Sequence, residues 1–260
     1  MRLEHLSPSS IGTFLNCQTQ WYFRYVEGLK TPPAVALVAG SSVHKAAEAN
    51  YTQKQESHED LPVDELLDVT RDTFVKGSSD IVWELEDTTP GEALDQTVGL
   101  TKVWRQDLAP QVQPTAVETW IRLEDPSWAL PLVGVIDTET DELIVDLKTA
   151  AKRKSVDAAG VCDELERDIQ SGVYLLKHYR EFSPRTFRWH VAVKTKTPAT
   201  QTVDRTTFDP EFLTRFIAHQ QRVILNAVAT GLFSAAPPGA WNCSERLCGY
   251  WHVCRWGGKR

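Results

Sequence analysis

The chain has 260 residues, 42% of them apolar and 24% charged, with a formal net charge of -7. That length buries a sizeable core without disulfides, no apolar run reaches membrane-spanning length, and the start lacks the basic and then apolar pattern of a secretory signal. A cytoplasmic or similarly reducing compartment and no membrane partner are expected. The acidic balance argues against indiscriminate coating of nucleic acid, yet allows a locally basic phosphate path beside cation-holding acids.

Ser7 followed by Pro8 reads as a helix cap with proline in the first turn, and Ile11, Phe14 and Leu15 give an apolar stripe. One helix is predicted from 8 to about 25. After Thr31, Pro32 and Pro33, a second is predicted over 36 to 55, with Gly40 as an alternative start; it puts His44 and Glu48 on one face at four-residue spacing. Helices over 62 to 77 and 90 to 109 flank the acidic stretch at 84 to 87 and suggest a lobe for substrate confinement. Strands follow at 115 to 123, 132 to 137 and 143 to 149, then a helix over 163 to 180, a strand at 186 to 194 and a hairpin partner at 200 to 206. That order predicts an α/β fold, a mixed sheet with helices on its faces. A last helix over 212 to 232 precedes a cysteine-containing tail, and no repeat or low-complexity linker divides the chain.

The densest chemistry lies on two neighbouring strands, Gly134-Val135-Ile136-Asp137 and Ile144-Val145-Asp146-Leu147-Lys148. Asp146 and Lys148 share a strand face, and Asp137 can sit beside them, so a cation, a phosphate and a water could be held together. The same spacing also fits a polar hairpin carrying a surface acid-lysine pair. Apolar flanks favour charges at the edge of a packed core. Gln170 and Tyr174 share a helix face, His44 is a possible ligand or an ordinary hydrogen-bonded histidine, and Glu118 either adds a carboxylate or faces solvent.

Trp21, Tyr22, Arg24 and Tyr25 near the start, and Tyr250, Trp251, Arg255 and Trp256 near the end, could pack on one another or stack on bases. Cys243, Cys248 and Cys254 fall close together in the tail, with Cys17 far upstream; by spacing alone they suit zinc or a buried thiol cluster. Cys162, left over, reads as a small buried side chain or a benign thiol, not a ligand.

Taken together these residues resemble a PD-(D/E)xK nuclease of the RecB type, in the iron-sulfur branch that includes CRISPR adaptation nucleases and the nuclease domain of AddB recombination proteins. His44 matches the family's helical histidine, Gly134 to Asp137 its first acidic motif, Asp146 to Lys148 its DxK element, and Gln170 with Tyr174 its QxxxY element. The resemblance implies a restriction-endonuclease-like single nuclease domain over 1–260, with a helical lobe at 56–114, a catalytic core at 115–206 and a clasp joining 1–30 to 233–260. It implies a metal-dependent deoxyribonuclease, an exonuclease on single-stranded DNA ends working in recombination or repair. His44, Asp137, Asp146 and the Leu147 carbonyl would hold magnesium or manganese, two ions during catalysis, with Lys148, Gln170 and Tyr174 completing the catalytic set and Glu118 as a further carboxylate. Cys17, Cys243, Cys248 and Cys254 would hold a 4Fe-4S cluster, with zinc as the other metal those thiols suit. DNA is the implied partner, with a helicase or recombination protein beside it. A noncatalytic iron-sulfur DNA-binding or structural subunit is the alternative; the chain carries no GxxxxGK[ST] phosphate loop of a motor.

Overall fold

The computed structural model describes residues 3–237 and 239–257, so the outer ends of the expected clasp, at 1–2 and 258–260, and position 238 within it lie outside the described residues. The elements are α1 (Pro8–Asn16), α2 (Gln18–Tyr25), α3 (Val35–Ser57), α4 (Val63–Gly77), α5 (Pro90–Asp107), β1 (Ala116–Leu123), β2 (Leu132–Glu139), β3 (Leu143–Ala150), α6 (Asp163–Glu166), α7 (Ile169–Arg180), β4 (Thr186–Val193), β5 (Ala199–Asp204) and α8 (Pro210–Thr230). The sheet runs in the order β1-β2-β3-β4-β5. β2 and β3 are antiparallel, as are β4 and β5, whereas β3 and β4 run parallel from Leu143 opposite Thr186 to Ala150 opposite Val193. Parallel neighbours need a long crossover, and α6 and α7 supply it. The mixed α/β sheet with flanking helices expected from the sequence is the fold the chain adopts.

Two predicted helices are broken, each by a side chain that caps the second half. Cys17 ends α1 in an extended conformation (φ -163°, ψ 109°), and its sulfur accepts from the Gln20 amide at 3.4 Å to start α2. Asp168 likewise separates α6 from α7 by accepting from the Ser171 amide at 2.7 Å. A local oxygen or sulfur acceptor competes with helix continuation, which a purely apolar period does not register.

The chain forms two compact units, the described residues of Met1–Pro32, Ile121–Gly134 and Asp209–Arg260 in one, Pro33–Trp120 and Val135–Phe208 in the other. In the second, α3, α4 and α5 pack an apolar layer against the sheet: Tyr51 meets Trp104 edge-on at 5.4 Å, and Val43, Leu66 and Leu100 join Val145 and Leu147 of β3 and Ala192 of β4. Burying side chains of this size contributes roughly 1.5–3 kcal/mol each. In the first unit Gln221 of α8 exchanges hydrogen bonds with both main-chain groups of Leu130, at 2.9 and 2.7 Å. Trp21 is wholly buried there against Phe14 and Phe233, and Phe23 packs on Tyr250 at 5.5 Å, so Trp21, Phe23 and Tyr250 serve packing. Arg24 lies over the Tyr25 ring and Arg255 over Trp256.

Candidate active site

Alternation along β3 sets up the site. Val145 and Leu147 enter the apolar layer with α3 and α5, which turns Asp146 and Lys148 to the opposite face, toward α7. Lys148 Nζ lies 2.7 Å from Asp146 Oδ2 and donates to Gln170 Oε1 at 3.2 Å. Gln170 Nε2 in turn donates to the Tyr174 hydroxyl at 3.0 Å, and that hydroxyl donates to the Val135 carbonyl of β2 at 2.5 Å. The lysine is therefore oriented through a chain of hydrogen bonds anchored on a strand. Asp146 is 1% exposed, which removes the surface-hairpin reading of the acid-lysine pair.

The β2–β3 ladder pairs Thr138 with Val145 and Glu139 with Ile144. One step further, Asp137 Oδ2 accepts from the Leu147 amide at 3.3 Å and lies 3.3 Å from His44 Nδ1 of α3. His44 also hydrogen-bonds the Leu147 main chain. α3 approaches the sheet closely enough that a side-chain carbon on Gly40 would lie 3.4 Å from the Thr149 hydroxyl. Glycine at that position suits this approach, one turn before His44.

Electrostatics follow from burial. Desolvation lowers the His44 pKa against the pull of Asp146, so the imidazole is neutral near neutral pH and has a lone pair to give. Desolvation raises Asp137 and Asp146 even though Lys148 works the other way, and the two acids push against each other. For Lys148 the burial penalty is outweighed by Asp146 and Asp137, and its pKa rises.

The structure thus gathers His44, Asp137, Asp146, Leu147, Lys148, Gln170 and Tyr174 into one neighbourhood. Among the described residues, however, no three His, Cys, Asp or Glu side chains stand in an arrangement that could hold a metal ion. The lysine ammonium pairs with Asp146, and the imidazole with Asp137. Glu118 sits on β1 with φ +52°, a conformation non-glycine residues seldom adopt, and burial and then the Asp137 and Glu48 charges raise its pKa. It lines a narrow cavity with His44, Glu48, Asp137, Leu147 and His190. The sequence places Glu48 on the His44 face without giving it a role, and it does not single out His190. Four-residue spacing from His44 was the signal for Glu48; His190 sits in an apolar strand that gives none.

In the first unit a cavity is lined by Cys17, Cys243, Cys248 and Cys254, walled by Phe23, Tyr250, Trp251 and Trp256. Burial raises the Cys248 thiol pKa, and the other three sulfurs raise it further. Three hydrogen bonds link these segments: the Thr19 amide to the Ser234 carbonyl, the Ser234 amide to Gln18 Oε1, and the Tyr250 hydroxyl to the Leu29 carbonyl at 3.0 Å. A side-chain carbon on Gly249, between Cys248 and Tyr250, would lie 2.7 Å from Thr31. Cys162 is buried elsewhere, at the start of α6.

Among curated proteins none matches the chain. A solved structure from Eubacterium rectale, whose name proposes an exonuclease, superposes with a TM-score of 0.63 at 16% identity, covering 90% of this chain and 85% of that one; the likeness is one of fold. No described helix is long and apolar enough to cross a membrane. The family model described as the PD-(D/E)XK nuclease superfamily matches residues 5–255, nearly end to end, and with the strand-borne Asp137, Asp146 and Lys148 in place the chain belongs to the PD-(D/E)XK nuclease superfamily.

Proposed function

We propose that the protein is a divalent-cation-dependent deoxyribonuclease, acting as an exonuclease on single-stranded DNA ends. The observation that carries this reading is the buried Asp146-Lys148 pair, 2.7 Å apart, beside the Asp137-His44 pair at 3.3 Å. The donor types, though not their present arrangement, suit a hard cation: two carboxylates raised by burial, a neutral imidazole and the Leu147 main chain, with Asp146 now countered by the ammonium of Lys148. His44, Asp137, Asp146 and the Leu147 carbonyl would hold magnesium or manganese, which when bound neutralises phosphate charge and makes water more acidic. Lys148 orients the attacking water and shields the scissile phosphate. Gln170 fixes Lys148, and Tyr174 fixes Gln170. Hydrolysis joins the water oxygen to phosphorus and breaks the bond from phosphorus to a deoxyribose oxygen, which takes up a proton, giving a phosphate on one product and a hydroxyl on the other.

For the cysteine cavity the donor set is four soft thiols on one space, with Cys17 accepting an amide hydrogen bond, which suits iron-sulfur ligation. We assign Cys17, Cys243, Cys248 and Cys254 as ligands of a 4Fe-4S cluster with a structural role, clasping the two ends of the chain, as in the iron-sulfur branch the sequence resembles. DNA, and a recombination or helicase protein, are the partners this reading supplies.

The test is anaerobically purified protein with end-labelled single- and double-stranded DNA and either cation, beside Lys148→Ala. Cation-dependent shortening of single strands is expected, falling about 10²–10⁴-fold in the variant while DNA binding and the melting temperature hold. Binding without shortening in any cation would leave only the DNA-binding role.

A further inference from the structure

Arg205, just past the end of β5, has a side chain only 11% exposed and reaches back to the break between α6 and α7. Its Nη2 donates to the Glu166 carbonyl at 2.8 Å, and its Nη1 donates to the Asp168 carbonyl at 2.8 Å and to the Ser171 hydroxyl at 2.6 Å. The arginine is itself held in place. Its amide donates to the Phe187 carbonyl of β4 at 2.9 Å and its Nε to the Thr207 carbonyl at 2.9 Å, while the Glu166 carboxylate accepts from the Thr206 and Thr207 amides at 2.6 and 3.0 Å. A cation at the start of a helix works against the helix dipole by roughly 0.3–1 kcal/mol, so the guanidinium is poorly placed to serve helix stability alone.

What it does hold is the turn that carries Gln170. Amides in a first turn lack intrahelical acceptors, and such turns fray. Here the Gly172 amide reaches the Asp168 carbonyl only at 3.4 Å, and that carbonyl is one of those that receive Arg205. Tyr174, one turn further on, has its own anchor on the Val135 carbonyl. Among the described residues the Gln170 side chain bonds only Lys148 and Tyr174, so its reach to Lys148 follows from where this turn sits. We infer that Arg205 is a positioning residue for strand cleavage, its forked guanidinium fixing the first turn of α7 and, through Gln170, the ammonium of Lys148. The inference rests on the nuclease reading and goes beyond it, since Arg205 lies outside every motif on which the resemblance stands. A planar fork is needed because three acceptors on two sides of a helix break must be met at once.

The experiment follows single-strand cleavage with Mn²⁺ by the full purified chain, beside amide hydrogen exchange of the cation-free protein. The arms are the wild type, Arg205→Met, Arg205→Lys, Gln170→Leu and Arg205→Met combined with Gln170→Leu. Arg205→Met should lower kcat about 10–100-fold with KM and Mn²⁺ stoichiometry unchanged. Arg205→Lys keeps the charge but cannot span the three acceptors, and should recover little of that loss. In the Gln170→Leu background the arginine change should cost less than about threefold more, because both substitutions release the same lysine. Exchange should quicken over 169–173 and stay as it was in β3. Losses that multiply in the double variant, or that follow the melting temperature across the arms, would make Arg205 a general brace of the fold and overturn its role at the site; wild-type kcat in Arg205→Met would do the same. If Arg205→Met does not fold, Arg205→Lys with and without Gln170→Leu carries the same comparison. A wild type that shortens no DNA in any cation would overturn the nuclease reading, and the positioning role with it, a result distinct from any loss confined to the Arg205 variants.

Discussion

At the scale of single residues, the candidate site is ruled by desolvation. Asp146 is buried and Asp137 partly so, and burial raises the pKa of both. Cation binding needs them ionised, so the sign is fixed: Mn²⁺ affinity is full above the raised values and falls by about tenfold per pH unit per proton taken up as pH drops through them. In the cation-free protein the same shift works the other way, since a carboxyl whose folded pKa is raised costs stability when ionised, and that cost fades as pH falls toward the ordinary value. Calorimetric titration with Mn²⁺ between about pH 7.5 and about pH 5, with thermal melts in chelator over the same range, checks both limbs. Affinity flat across that interval would deny either acid a place on the cation.

Gln170 offers a finer residue-scale test. Its side chain receives the Lys148 ammonium and passes a hydrogen bond to Tyr174, so Gln170→Leu removes the hold on Lys148 without touching the acids. Cleavage should drop about 10–100-fold with Mn²⁺ stoichiometry unchanged, as expected of a supporting hydrogen bond around a cation site. Loss of bound Mn²⁺ in this variant would make Gln170 a support of the ligands and not of the lysine.

At the scale of elements, β2 carries two acids with opposite fates. Asp137 turns to the site, whereas Glu139, 3% exposed, is paired with His178 of α7 at 2.6 Å, with Lys177 at 3.6 Å and Arg185 at 3.5 Å. Burial pushes the Glu139 pKa up, but the His178 and Thr119 hydrogen bonds with Lys177 prevail and bring it down to about 2. A depressed folded pKa contributes stability that is complete above the ordinary glutamate value and drains away as pH falls toward about 2. Glu139→Gln should destabilise the fold at neutral pH, by about 3–5 kcal/mol if the basic partners stay buried, and should flatten the acid limb. Urea titrations at neutral and acid pH measure this; an unchanged midpoint at neutral pH would mean the basic groups find water instead. The same cluster pins α7 to β2, which is how Gln170 and Tyr174 come to face Lys148.

At the scale of the whole molecule, the cysteines couple the most distant parts of the chain, with Cys17 and the three tail thiols on one cavity. A cluster ligated there closes a loop of most of the chain, and a cross-link of that span is worth about 2–5 kcal/mol. Cys254→Ser should therefore lower iron and acid-labile sulfide, reduce the melting temperature and open the segments 1–32 and 209–260 to limited proteolysis. Cys162→Ser, outside the cavity, should leave the iron content unchanged. Full iron in Cys254→Ser would dismiss the clasp.

The amino-acid pattern alone determined a good deal. Period-two and period-3.6 apolar spacing, with caps such as Ser7 and breakers such as Pro33, set nearly every element within two residues, and the mixed sheet followed from their order. Asp137, Asp146 and Lys148 stood out because charged groups are rare in apolar strands, whereas Cys243, Cys248 and Cys254 stood out by their close spacing in the tail. The breaks at Cys17 and Asp168 were not, since each depends on which acceptor a free amide finds. Only the tertiary structure decided that Lys148 leans on Asp146 and Gln170, that Glu48 and His190 share a wall with Asp137, and that Glu118 takes a left-handed backbone conformation within β1. Those are matters of which groups lose water together, and desolvation is a property of packed neighbours that no one-dimensional spacing encodes.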